Sequence, residues 1–173
     1  EPRLAAAIEK LNYSETTPIQ EQTIPHILEG KDVAGLAQTG TGKTAAFLIP
    51  LIERILRAQA DQTHERAMKN WAARSYVLIL VPTRELAAQI ERELQPLAEA
   101  SGRRLLSVYG GVGYERQKKR LRNGVDVLIA CPGRLRDLID QHAVRLDAIE
   151  IVVIDEADRM ADMGFLPEVR RLL

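Results

Sequence analysis

The chain has 173 residues, 46% of them hydrophobic, and its 24 basic and 24 acidic side chains balance to a net charge of +0. At about 150 residues to a domain this predicts one domain that needs no disulfide or zinc, and one cysteine with three scattered histidines supplies neither. No apolar run approaches the roughly 20 residues of a membrane span, so a soluble, cytoplasmic protein is expected, and the even charge argues against a broad basic footprint for nucleic acid.

In chain order, Asp32 to Ala37 reads as a weak strand. Thr44 to Arg57 carries Phe47, Leu48, Leu51, Ile52, Ile55 and Leu56 on one helical face. Arg57 to Arg74, with Met68 and Trp71, reads as a helix extension followed by a surface loop. Tyr76 to Val81 is a strand, and Arg84 to Ala98 a helix with Leu86, Ala87, Ile90, Leu94 and Leu97 on its buried face. Leu105 to Tyr109 and Val125 to Ala130 are further strands, Leu135 to Ile139 a short helix, and Ile149 to Ile154 a final strand. Apolar runs without alternation predict strands covered on both faces. Strands alternating with helices predict an α/β fold with a parallel sheet.

Ala37-Gln38-Thr39-Gly40-Thr41-Gly42-Lys43-Thr44 lies between the weak strand and the first amphipathic helix. Glycines let a backbone curl its N–H groups toward an anion, and a helix N-terminus adds its positive end. Lys43 can reach the β- and γ-phosphates of a nucleotide, and the Thr44 hydroxyl can ligate magnesium. The pattern departs from G-x-x-x-x-G-K-[ST] at Ala37, and a plain glycine-rich turn is the alternative. A second cluster counts against that alternative. Asp155-Glu156-Ala157-Asp158 follows the last strand, at the sheet edge where open α/β folds bind ligands. Asp155 is placed to hold magnesium, and Glu156 to orient or deprotonate an attacking water.

Together these residues resemble the first RecA-like domain of the DEAD-box RNA helicases. Asp155 to Asp158 spells the family's name motif, Arg159 to Phe165 is similar to its continuation, and Ala37 is ordinary for the family. The resemblance covers residues 1–173, with a Q motif at 13–20, the P-loop at 37–44 and the name motif at 155–158. It implies a RecA-like P-loop domain that takes ATP and Mg2+, with Gln38, Thr39, Gly40, Thr41, Gly42, Lys43 and Thr44 around the phosphates. Tyr13, Thr17 and Gln20 belong to the Q motif, in which Gln20 reads the adenine edge. Thr16 stands where proline is common. Lys43, Asp155, Glu156 and Asp158 are implied for hydrolysis, Thr44 and Asp155 for the metal.

Three further segments resemble family motifs that hold the backbone of single-stranded RNA or of an RNA duplex being opened. They are Pro82-Thr83-Arg84, Gly110-Gly111 and Cys131-Pro132-Gly133-Arg134, with Cys131 in place of a threonine. Backbone N–H groups, Arg84 and Arg134 suit phosphate contacts that position a strand without reading its sequence. Arg116, Lys118, Lys119, Arg120 and Arg122 read as a solvated helix face, His26, His64 and His142 as surface residues, and Met160 and Met163 as packing beneath the helix after the name motif.

The resemblance also implies parts not found in these residues. These are a strand bearing Ser-Ala-Thr, between the P-loop strand and the name-motif strand, and a C-terminal RecA-like domain that supplies arginines to the γ-phosphate. An incomplete domain with a slot in its sheet, nearly inactive alone, is therefore expected. The rival classes fare worse. A GTPase needs Asn-Lys-x-Asp, which is absent, and a DNA-directed helicase usually differs in the Gln20 segment and name motif. A non-catalytic RNA-binding scaffold would not need Lys43 and Glu156.

Overall fold

The computed structural model describes residues 2–10, 13–38, 40–60 and 76–173. Four short, strongly apolar segments pair into an all-parallel sheet: β1 (Val77–Leu80), β2 (Leu105–Val108), β3 (Val127–Ala130) and β4 (Ile151–Ile154), in the order β2-β3-β1-β4. Val77 aligns with Val127 on one side and with Ile151 on the other, and Leu105 aligns with Val127. Helices α1 (Pro2–Lys10), α2 (Pro18–Leu28) and α3 (Lys43–Ala60) precede β1. Between the strands lie α4 (Arg84–Ser101), α5 (Tyr114–Arg122) and α6 (Pro132–Asp140), and α7 (Ala157–Asp162) and α8 (Leu166–Leu172) follow β4.

The described residues form two compact units. One comprises the residues before 61 together with Pro96–Gly102; in it α2 packs on α3. The other contains the sheet. There Leu78, Leu80, Leu106, Val108, Leu128 and Ala130 share one face and meet Leu121 of α5, Leu135 and Leu138 of α6 and Met160 of α7. The opposite residues, Val77, Ile79, Val127 and Ile129, are equally buried, and Ser107 there donates to Glu91 of α4. Helices on both faces follow from right-handed crossovers: β1 to β2 moves one way across the sheet, β2 to β3 and β3 to β4 the other.

Three expectations change. Residues 31–38 form no strand, and Leu36 is 100% exposed. Of the six residues from Asp32 to Ala37 only Val33 and Leu36 are large and apolar, and a strand needs a hydrogen-bonded neighbour, which no described strand supplies. β4 is not covered on both faces: Val152 and Ile154 are 39% and 40% exposed, whereas β2, the other edge strand, is buried throughout by the helices packed on it. Met160 is fully buried, whereas Met163, just past the end of α7, is exposed, so only the first packs beneath that helix. The helix from Thr44 continues to Ala60, while Met68, Trp71 and His64 lie outside the described residues.

Candidate nucleotide and nucleic-acid site

In the first unit, Thr17 precedes α2 with extended backbone, and Pro18 occupies the first helical turn, where its missing N–H costs nothing. One turn in, Gln20 is 6% exposed and uses both ends of its carboxamide. Its Oε1 accepts from the Thr17 N–H at 3.0 Å, and its Nε2 donates to the Gly42 carbonyl at 3.1 Å. The second lone pair and second N–H of that carboxamide are not used by these two bonds. Thr17 Oγ1 is buried with no hydrogen-bond partner among the described residues, and Tyr13 stands exposed ahead of it.

Gly40 and Gly42 take φ of +79° and +84°, which turn the chain twice before α3 begins at Lys43. Between them Thr41 Oγ1 donates to the Gln38 carbonyl at 2.6 Å. The Ala46 N–H bonds back to the Gly42 carbonyl, and among the described residues no such bond is made by the N–H groups of Thr44 and Ala45, as at a helix N-terminus. A Cβ on Gly42 would lie 2.5 Å from Gln20 Nε2 and force that carboxamide to move. Thr39 lies outside the described residues. Lys43 and Thr44 are half-buried in the first turn of α3.

In the sheet unit the parallel arrangement sends the loops after all four strands to one edge. β1 and β3 are neighbours whose following helices lie on opposite faces, the strand arrangement at which open α/β sheets bind ligands. After β4, Asp155 is 9% exposed, and its Oδ1 accepts from the Glu156 N–H at 2.9 Å. Glu156 sits at φ +50°, a left-handed conformation that a non-glycine residue holds only against strain. Arg159, one turn on, holds its carboxylate at 3.1 Å. Asp158 is exposed in the first turn of α7.

After β1, Thr83 Oγ1 accepts from the Leu86 N–H and so caps α4, next to Pro82. Arg84 pairs with Glu85 at 2.7 Å, which holds that carboxyl below the usual carboxylate range. Gly111 brings its backbone beside Arg84: a Cβ built there would lie 3.5 Å from Nη1. After β3, Cys131 precedes Pro132 at the start of α6, and burial followed by the Glu85 charge pushes its thiol up to about 11. Gly133 leaves the first turn of α6 open, since a Cβ there would meet nothing.

Arg134 does not point freely outward. Its Nη1 donates to the Val112 carbonyl at 2.8 Å and to Gln117 at 3.1 Å, while the guanidinium stacks 3.9 Å from the Tyr114 ring centroid. Tyr114 in turn donates to Asp137 at 2.7 Å, which raises the phenol's pKa, and Gln117 donates to the Tyr109 carbonyl. Thus Arg134 braces the loop that carries Gly110 and Gly111. Sequence reasoning missed this bracing set, Tyr114, Gln117 and Asp137, because it joins residues of two different helices. The Arg159 contact to Glu156 had a legible signal, the i,i+3 helical spacing.

The all-parallel sheet flanked by helices defines an α/β protein of RecA-like fold. The chain belongs to the DEAD/DEAH box helicase family, whose model matches residues 17–173. It is 46% identical over 171 residues to the ATP-dependent RNA helicase RhlB of Proteus mirabilis, covering 99% of this chain and 38% of that protein. To RhlB of Xanthomonas oryzae it is 49% identical over 175 residues, covering 99% and 29%. Among solved structures, it is similar to the RNA helicase Prp28 from Chaetomium thermophilum bound to ADP, with a TM-score of 0.87, 39% identity and coverage of 100% and 40%. A hypothetical ATP-dependent RNA helicase from Sulfolobus tokodaii gives 0.83, 34% identity and coverage of 99% and 46%. The chain therefore spans less than half the length of these relatives.

Proposed function

We propose that residues 1–173 are the N-terminal RecA-like part of a cytoplasmic ATP-dependent RNA helicase. In the parent protein, ATP binding and hydrolysis would drive local opening of RNA duplexes. The observation that carries the nucleotide half of this reading is the pair of left-handed glycines, Gly40 and Gly42, feeding directly into α3. Gln38, Thr39, Gly40, Thr41 and Gly42 wrap the phosphates with backbone N–H groups, and Lys43 neutralises their outer charge. Gln20 reads adenine with the donor and acceptor capacity left after its bonds to Gly42 and Thr17, and Tyr13 packs on the base.

One carboxylate and one hydroxyl suit magnesium, which keeps several waters and phosphate oxygens and is rarely caged by protein alone. Thr44 and Asp155 would hold it, and it would supply charge neutralisation at the β- and γ-phosphates. Glu156 takes the proton of the attacking water, Arg159 fixes its carboxylate and Asp158 supports the segment. Thr83, Gly110, Gly111 and Gly133 offer single-stranded RNA backbone N–H donors and Arg84 a cation, while Pro82 and Pro132, which have no N–H, fix the turns that present them. Arg134 acts through the Gly110–Gly111 loop it braces.

The exposed Leu36 and the open edge of β4 support a parent chain with more sheet and a C-terminal RecA-like domain. That second domain would supply arginines worth about 10³-fold or more in turnover, so this part alone hydrolyses ATP very slowly. The test is ATP hydrolysis by the full-length protein with and without oligouridylate. RNA should stimulate turnover, Lys43→Ala should remove nucleotide binding, and Glu156→Gln should keep binding while losing hydrolysis. Wild-type turnover by Glu156→Gln, or no response to RNA, would refute the reading.

A further inference from the structure

The sheet edge opposite the candidate site holds a second feature. Lys118, Leu121 and Arg122 of α5, with the segment from Gln141 to Arg145, line a cavity of about 280 Å³ in the sheet unit. It lies where the chain enters the N-terminal ends of β3 and β4, the far end from the loops after the strands. Its floor is aliphatic: Leu121 and Val144 are buried core residues and Ala143 packs against them. Its rim is cationic, with Lys118, Arg122 and Arg145.

Basic residues are concentrated there. Helix α5, YERQKKRLR, carries one acidic and five basic residues in a chain whose net charge is +0. Lys118 leans on Glu115 at 3.4 Å and Arg145 on Asp147 at 3.1 Å, both exposed pairs that a competing carboxylate can replace at little cost. The Arg122 side chain has no hydrogen-bond or ion-pair partner among the described residues.

We infer that this cavity is a docking site for an acidic peptide segment of a partner protein, one that seats an aliphatic side chain on Leu121, Ala143 and Val144 and sets carboxylates on Lys118, Arg122 and Arg145. Two features favour peptide over RNA. The floor of Leu121, Ala143 and Val144 is aliphatic and suits a hydrophobic side chain, which RNA does not have. The cavity's volume falls just under the roughly 300 Å³ where small-molecule sites begin, a size for one anchoring side chain. This inference is independent of the nucleotide reading.

The experiment is fluorescence anisotropy on the full-length protein with a labelled peptide of alternating aspartate and leucine. The same peptide with serine for leucine, and a labelled oligouridylate, serve as comparison probes. The aspartate–leucine peptide should bind, and Arg122→Glu with Arg145→Glu should weaken it about tenfold or more. Lys119→Glu, an exposed change on the same helix outside the cavity, should leave it unaltered, and thermal melts should show all variants folded. If the reversal variant melts early, Arg122→Gln should still weaken binding. Absence of peptide binding overturns the inference. So do indifference to both Arg122 variants, equal binding of the serine peptide, and oligouridylate binding that the same variants abolish.

Discussion

Gln20 Nε2 donates to the Gly42 carbonyl oxygen at 3.1 Å, tying the start of α2 to the turn before α3 across 22 residues of sequence. Because Gln20 Oε1 also holds the Thr17 N–H, one buried carboxamide fixes two backbone segments. Gln20→Ala leaves a buried acceptor and a donor unpaired, which costs about 1–3 kcal/mol each at most. The variant should therefore melt at lower urea and bind a fluorescent ATP analogue about tenfold more weakly, both read by titration. Unchanged nucleotide affinity in a destabilised Gln20→Ala would confine Gln20 to a structural role.

Gly42 and Gly40 separate two causes of damage. Alanine at either position adopts a left-handed φ at about 1–2 kcal/mol. Only at Gly42 does the new Cβ also meet Gln20 Nε2, at 2.5 Å, whereas at Gly40 it meets nothing. Gly42→Ala should thus be the less stable variant by urea denaturation. Equal midpoints would show that the carboxamide contact yields freely.

Glu156 holds φ +50° in an otherwise regular turn from β4 into α7. Glu156→Gly removes the Cβ that makes this conformation unfavourable, and Glu156→Ala keeps it; both lose the Arg159 pair. The glycine variant should be more stable than the alanine variant by about 1 kcal/mol, although both lack the carboxylate needed for hydrolysis. The reverse order in thermal melts would indicate that the turn carries no strain.

Arg134 joins stacking on Tyr114 to hydrogen bonds on Val112 and Gln117. Lysine keeps the charge and loses the planar fork, so Arg134→Lys should release the Gly110–Gly111 loop and weaken oligouridylate binding about tenfold. Tyr114→Phe retains the ring and drops only the Asp137 bond, and RNA affinity should hold. Equal RNA affinity for wild type and Arg134→Lys would leave the bracing without functional weight.

Cys131 supplies a pH dependence with a definite sign. Its folded thiol keeps its proton up to about 11, against 9.0 for an ordinary thiol, chiefly because burial disfavours the thiolate. Between those values the unfolded state binds fewer protons, so stability falls as pH rises through that window and levels off above it. Urea midpoints of wild type minus those of Cys131→Ser should show this decline, and alkylation by iodoacetamide should stay slow at about pH 8. Rapid alkylation there would contradict the buried placement.

Much of the molecule is written locally. Tyr76 to Val81 and Val125 to Ala130 are too apolar and β-branched to sit anywhere but inside a sheet, and Gly40, Gly42 and Lys43 announce their turn and helix by residue type alone. The parallel sheet follows from the strand–helix alternation, and the order of the motif-bearing loops follows from the chain. What tertiary structure decided depends on partners distant in sequence. Asp32 to Ala37 forms no strand because backbone groups need a neighbouring strand, and the described residues offer none. Ile149 to Ile154 is as apolar as its fellows, yet Val152 and Ile154 are exposed while the other edge strand, Leu105–Val108, is buried, so the packing on each face decides. Arg134 read as a free cation until the fold set it on Tyr114 and Val112, and no spacing rule joins Gln20 to Gly42. Residue type and local period report what a segment can bury. Only the assembled chain determines which polar groups meet, because hydrogen bonds and ion pairs act over a few ångströms whatever the separation in sequence.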